Sequence, residues 1–286
     1  MRWCATTGKR LDSKAAASLA TVETRFSSPL LYEPGTSWEY SCGIDWAGKL
    51  AERLSGTDLE TLFQREIFDK VGVAPSEASF RLKDRYPEQA AKAASLTIRG
   101  DGKDLYSKQP VRHTSLQDMW PGVQDCMGGQ GLRATMPAYL AVLKSLLAND
   151  GQLLNSKMRG MMFEPQLSAG SKKALNELRT TAPEQFAGFV GRLPAGVELD
   201  WGLGGILSME DDDKIDGGWG RRKGTLMWSG LFNLFWFIDR RADLCGIFGT
   251  QVLPPGDLAV EDLIVRFERE MYAHRATKGS DTSAKL

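Results

Sequence analysis

Apolar residues recur at helical spacing in four stretches of the chain. Ile44, Ala47, Leu50, Ala51 and Leu54 follow a 3.6-residue repeat and Gly56 supplies a stop, which predicts an amphipathic helix of about three turns. Thr57 and Glu60 have the spacing of a capping box that opens a second helix, with Leu59, Leu62, Phe63, Ile67 and Phe68 as its buried stripe and an end near Gly72. A third helix starts at the cap Thr135, carries Pro137 in its first turn, buries Tyr139, Leu140, Leu143, Leu146 and Leu147, and closes at Ala148-Asn149-Asp150-Gly151. The fourth follows a cap at Asp257 and buries Val260, Leu263, Ile264, Phe267 and Met271.

A shorter helical patch at Lys173–Leu178 precedes a change towards strands. Leu199–Met209 reads as a strand whose Gly202, Gly204 and Gly205 let another backbone or a ligand come close. Thr225–Gly230, Leu231–Asp239 and Leu244–Gln251 read as three more, the last two joined by the charged turn Asp239-Arg240-Arg241-Ala242-Asp243, which makes an antiparallel meander. Helices, then a meander, then a packed C-terminal helix give an α+β fold of sheet and helices rather than a parallel doubly wound one. Residues 1–275 form a single domain in this reading, and the small, polar stretch 276–286 a disordered tail. Residues 74–125, with Pro75, Pro87, Pro110 and Pro121, follow no clear period and are read as an insert that shapes the substrate site.

Composition narrows the function. Across 286 residues Lys+Arg 36 balances Asp+Glu 36, so the basic excess that nucleic-acid and anionic-membrane binders carry is absent, and a small-molecule partner is expected instead. No apolar run is long enough for a membrane span and the first residues have no signal-peptide core, which gives a cytoplasmic expectation. Cys4, Cys42, Cys126 and Cys245 are too scattered for a zinc site or a disulfide framework and are read as reduced thiols. With only two histidines, His113 and His274, no metal centre is expected, and no Gly-x-Ser-x-Gly elbow supports a Ser-His hydrolase; no cofactor is implied. The cluster Gly128-Gly129-Gln130-Gly131 lacks the context of a phosphate cradle and is read as close backbone packing beside a pocket, while Asp211-Asp212-Asp213 is read as a solvated turn.

Three segments together resemble one family. Leu31-Tyr32-Glu33-Pro34-Gly35-Thr36-Ser37-Trp38-Glu39-Tyr40-Ser41-Cys42-Gly43-Ile44-Asp45-Trp46 is similar to the tyrosine region of the serine β-lactamase-like superfamily. Gly128–Thr135 resembles its glycine turn before a helix, and Trp228-Ser229-Gly230 with Asn233, Trp236, Asp239 and Thr250-Gln251 resembles its last active-site strand and the next. The resemblance runs from about Ser27 to Tyr272 and is nearest the class C-like esterases and the fungal transesterases of the lovastatin type.

The resemblance implies a β-lactamase/transpeptidase-like fold, an antiparallel sheet flanked by helices with a helical lobe, and acyl transfer through a serine activated by a neighbouring base. Tyr40 takes the place of the tyrosine that relays protons as general base, and Trp228, Ser229 and Gly230 that of the oxyanion and substrate strand, with Cys42, Gly129 and Asn233 around the substrate pocket. Trp228 stands where lactamases have the lysine of Lys-Thr-Gly, which favours small esters or thioesters over penicillins; Cys42 stands where an asparagine is usual. The Ser-x-x-Lys helix that supplies the nucleophile in the family has no counterpart: no serine is followed by lysine three residues on, and Thr6-x-x-Lys9 and Thr282-x-x-Lys285 are the only threonine versions. The family's N-terminal strands and nucleophile helix are therefore expected to be missing, leaving an exposed sheet edge and an uncovered apolar helix face through which copies could associate. Two readings stay open: an esterase or transesterase that needs a Ser-x-x-Lys segment, and a pseudoenzyme or acyl-ligand and partner-binding module on the same fold.

Overall fold

The computed structural model describes residues 21–27, 29–102, 107–114, 123–183, 186–187, 193, 196–212 and 220–283. Both threonine-x-x-lysine pairs and Cys4 involve residues outside these.

The first described helix, α1 (Val22–Phe26), packs on α2 (Gly43–Ser55), which ends at Gly56 in the left-handed conformation as its sequence predicts. The face that α2 buries is not the predicted one. Ile44, Leu50 and Leu54 are 53%, 57% and 80% exposed, whereas Asp45 is 4% exposed. The helix turns its small and polar side inward, where Gly48 lies against Gly128 and the Glu52 carboxylate accepts from the Leu59 N–H.

Asp58, not Thr57, caps α3 (Leu59–Phe63), its carboxylate accepting from the Thr61 N–H. The predicted partner Glu60 is buried instead and takes hydrogen bonds from the Ser79 hydroxyl and the Phe80 N–H. The chain then winds through a π turn (Gln64–Phe68) and a 3-10 turn (Asp69–Val71) to a left-handed Gly72. Within 74–125 the described residues form short pieces: β1 (Ala78–Ser79), α4 (Leu82–Arg85), α5 (Pro87–Ala90), β2 (Thr97–Arg99) and β3 (Val111–His113). β1 pairs with β4 (Arg133–Ala134), immediately before the Thr135 cap of α6 (Met136–Ala148). After α7 (Ser156–Met162) and α8 (Ala169–Thr181) comes the main sheet.

That sheet has five antiparallel strands in chain order: β5 (Leu199–Trp201), β6 (Ile206–Ser208), β7 (Leu226–Gly230), β8 (Leu234–Asp239) and β9 (Leu244–Phe248). The expected single strand over 199–209 is a hairpin. Its turn must be glycine at Gly202, where a Cβ would collide with the Met162 carbonyl oxygen, and Gly205 is crowded, though less tightly, by the Met227 carbonyl oxygen. β10 (Val252–Leu253) joins β2 and β3 in a small separate sheet.

One core cluster lies between α8, the sheet and the last helix, α9 (Leu258–Ser283), and a second under α6 includes Leu143, Leu207, Leu226 and Ile238. The helix α9 runs on past 275 into the stretch expected to be disordered, and Leu263 on its predicted buried face is exposed. The acidic turn is not wholly solvated either: Asp212 is buried and accepts from the Gly220 N–H, while Asp211 pairs with Arg241. Nearby, Arg221 makes a two-point ion pair with Glu268 of α9, and the buried Asp239 accepts from Arg222 N–H and the Tyr272 hydroxyl. Two packed layers around these contacts give the α+β fold that the patterning predicts.

Candidate active site

The segment before α2 reaches the sheet because α8 holds it. Ser168 caps α8 and donates its hydroxyl to the Gly35 carbonyl at 2.6 Å, and the Ser171 hydroxyl donates to the Ser37 carbonyl at 2.9 Å. Gly170 has no side chain because the Thr36 carbonyl oxygen would lie 2.9 Å from its Cβ. Trp38 and Tyr40, which follow, are thereby laid against the sheet.

Four aromatic rings meet there. Trp38 lies 5.6 Å from Trp201, Trp201 stands edge-on to Trp228 at 4.8 Å, and Trp228 stacks with Tyr40 at 6.0 Å and 25° between planes. The structure thus brings together Tyr40 and the end of β7, where Ser229 and Gly230 follow Trp228. A Cβ on Gly230 would press on Leu234 at 3.0 Å, so glycine lets β7 and β8 close there.

The Tyr40 phenol is half exposed, and its pKa is raised above the ordinary tyrosine value by burial first and by the nearby Asp45 charge second. Cys42 is the residue before α2 and gives that helix no side-chain cap, which an asparagine there could supply. Its thiol is likewise pushed up by burial and, to a lesser degree, by Asp45, so it is no thiolate at neutral pH.

Gly129 meets the site through Asp45: its N–H donates to Asp45 Oδ1 at 3.0 Å, and its Cβ would lie 2.9 Å from Oδ2. The glycine cluster is therefore a place of close backbone packing. Asn233, expected at the substrate pocket, clasps the backbone of residues 252–257. Its amide nitrogen donates to the carbonyls of Val252 and Pro254, and its oxygen accepts from the N–H groups of Gly256 and Asp257. Both amide hydrogens and the oxygen are thus engaged by the backbone, and the residue is only 5% exposed.

Trp38 packs on Trp201, Trp201 on Trp228, and Asp45 bonds to Gly129, contacts that the motifs in the sequence do not point to. Their shared signal is weak in sequence, because Trp201 reaches Trp228 only through the β5–β6–β7 pairing and Asp45 looks like an ordinary first-turn acid. His113, at the end of β3, and His274, on α9, are both exposed. A cleft of about 410 Å³ lies beyond the far end of α2, lined by Lys49, Arg53, Arg81 and Asp125 among others, and includes neither Tyr40 nor Trp228. Among the described residues no three His, Cys, Asp or Glu side chains are placed to hold a metal, and no helix is long and apolar enough to cross a membrane.

Comparison with known proteins gives this geometry a context. The chain is 34% identical over 254 residues to ML-236A carboxylate methylbutanoyltransferase of Penicillium citrinum, covering 88% of this chain and 57% of that one. It is 35% identical over 270 residues to the lovastatin esterase of Penicillium rubens, covering 90% and 62%. A mutant simvastatin synthase from Aspergillus terreus superposes with a TM-score of 0.79 at 34% identity, over 88% of this chain and 60% of its own. The chain thus spans about three-fifths of the length of these relatives. The family described as Beta-lactamase matches residues 6–269, so the chain belongs to the β-lactamase family.

Proposed function

We propose that this chain carries the tyrosine and substrate-strand part of a serine acyltransferase or esterase, acting on small esters or thioesters with an uncharged acyl group when a Ser-x-x-Lys segment is present. The observation that supports it is the Tyr40–Trp228 stack at the end of β7, with Ser229 and Gly230 next in line. Relatives named as a methylbutanoyltransferase and a lovastatin esterase agree with acyl transfer.

In this reading the serine attacks the acyl carbonyl, and its proton passes to the lysine and Tyr40. A phenol, protonated at neutral pH, can donate to the leaving alcohol, and a lysine beside it would lower its pKa and help it to accept as well. Backbone N–H groups at the end of β7 would face the tetrahedral oxygen. An indole at Trp228 offers no charge to a carboxylate, so neutral acyl groups are preferred.

The bare apolar stripe of α2 and the outer edge of β9, which pairs only with β8 among the described strands, are where a further segment or a second copy would associate. The test is hydrolysis of p-nitrophenyl butyrate by this chain and by a version joined to a Ser-x-x-Lys-bearing segment. Activity in the joined version alone is expected. Silence in both would favour the second reading, an acyl-ligand or partner-binding module on the same fold.

A further inference from the structure

The glycine turn Gly128–Gly131 lies directly on the first turns of α2. A Cβ on Gly128 would come within 2.9 Å of the Ile44 carbonyl oxygen, and Gly48 one turn on is as close to Leu59. The remaining corner is filled by the Asp45 carboxylate, 4% exposed, which accepts from the Gly129 N–H and from the Gln130 side chain. An acid in the first turn of a helix could serve the helix dipole equally well from water. Turning it inward costs desolvation, and what burial adds is a fixed link between two backbone segments.

We propose that Asp45 is a positioning residue of the Tyr40 site: its carboxylate fastens the glycine turn to the start of α2 and so holds the backbone from Tyr40 to Gly43, and with it the phenol, beside Trp228. The inference relies on the acyl-transfer reading only for the importance of Tyr40; the claim about placement is independent of it.

The charged and titratable groups around this carboxylate agree with such a link. Tyr40 and Cys42 face it from the segment before α2 and Arg25 from α1, while the uncharged Gln130 amide reaches it from the glycine turn. The Asp45 charge is felt at the phenol, where it adds to the effect of burial.

The test uses the full chain with ¹³Cζ-labelled tyrosine, the Tyr40 resonance being identified with Tyr40→Phe. Asp45→Asn keeps an oxygen for the Gly129 N–H and removes the charge, whereas Asp45→Ala removes both. Asp45→Asn is expected to leave the Tyr40 resonance in place at neutral pH while its phenol titrates at lower pH than in the unaltered chain. Asp45→Ala is expected to move the resonance away from its Trp228-shielded position. Gly129→Ala, which displaces the carboxylate, is expected to do the same, with no further change in the double variant.

A Tyr40 resonance unmoved in Asp45→Ala and in Gly129→Ala would overturn the proposal, whatever the titration does. Should Asp45→Ala fail to fold, Gly129→Ala decides it alone. A chain that never hydrolyses an ester leaves this result readable.

Discussion

The Tyr40 ring stacks on the Trp228 indole with centroids 6.0 Å apart, joining a loop before α2 to the end of the sheet's middle strand. Trp228 is itself braced edge-on by Trp201 at 4.8 Å. Trp228→Lys should therefore cost stability as well as change specificity: about 1–3 kcal/mol, from the aromatic contact and the apolar burial lost. Chemical denaturation checks the first effect. For the second, a version bearing Ser-x-x-Lys should gain relative activity on esters with a carboxylate in the acyl group, read as a ratio of kcat/KM values.

Asn233 makes a different prediction, one of stability alone. It holds a left-handed backbone, φ 56°, and its side chain bonds the backbone of residues 252–257 at four points. Asn233→Ala strands two buried N–H groups and puts a Cβ residue without a local hydrogen bond in a disfavoured region, for a loss on the order of 3 kcal/mol. A denaturant midpoint shifted with an unchanged slope would report it.

Much of this architecture can be read from the sequence, and the misreadings share a cause. Helix α2, its glycine stop, the Thr135 cap and the β7–β9 meander all depend on residues within a few positions of one another. What was misread depends on partners far along the chain. Thr57 and Asp58 are both acceptable caps, and the choice falls to Asp58 because Glu60 is drawn away to Ser79 and Phe80. The α2 stripe forms at helical spacing, but periodicity does not say which side meets the protein; the Gly48–Gly128 approach and the Asp45–Gly129 bond decide that.

The site divides in the same way. The family resemblance names Tyr40 and Trp228, which the fold brings into contact, and Asn233, whose side chain the fold binds to the backbone of residues 252–257. Charged residues are read as solvated by default, and that rule fails for Arg221, Glu268 and Asp212, which are buried together.

Asp45 also gives a pH dependence whose sign can be worked out. Burial raises its pKa in the folded chain above the ordinary carboxylate range, so the folded state holds this proton more tightly than the unfolded state. Its contribution is complete below the unfolded pKa and is lost as pH rises through the folded one. Asp45→Asn lacks that loss, so the stability difference between variant and unaltered chain should move in the variant's favour as pH rises from the ordinary carboxylate range through the raised pKa of Asp45. Denaturant titrations of both proteins across that range provide the comparison, with the other carboxylates cancelling.

The exposed face of α2 predicts tolerance of charge. Leu50→Lys with Leu54→Glu replaces residues 57% and 80% exposed and should change the folding free energy by no more than about 0.5 kcal/mol per site. If this face mediates association between copies, the same double variant lowers the mass measured by sedimentation while the melting temperature stays close to that of the unaltered chain.

The central claim is that Tyr40 moves protons in acyl transfer. It is tested most directly by Tyr40→Phe in the version joined to a Ser-x-x-Lys segment, with steady-state hydrolysis of p-nitrophenyl butyrate as the readout. Loss of a proton relay predicts a fall in kcat of about 10²–10⁴ with little change in KM. A kcat within twofold of the unaltered protein would contradict the account and leave Tyr40 as part of the aromatic wall only.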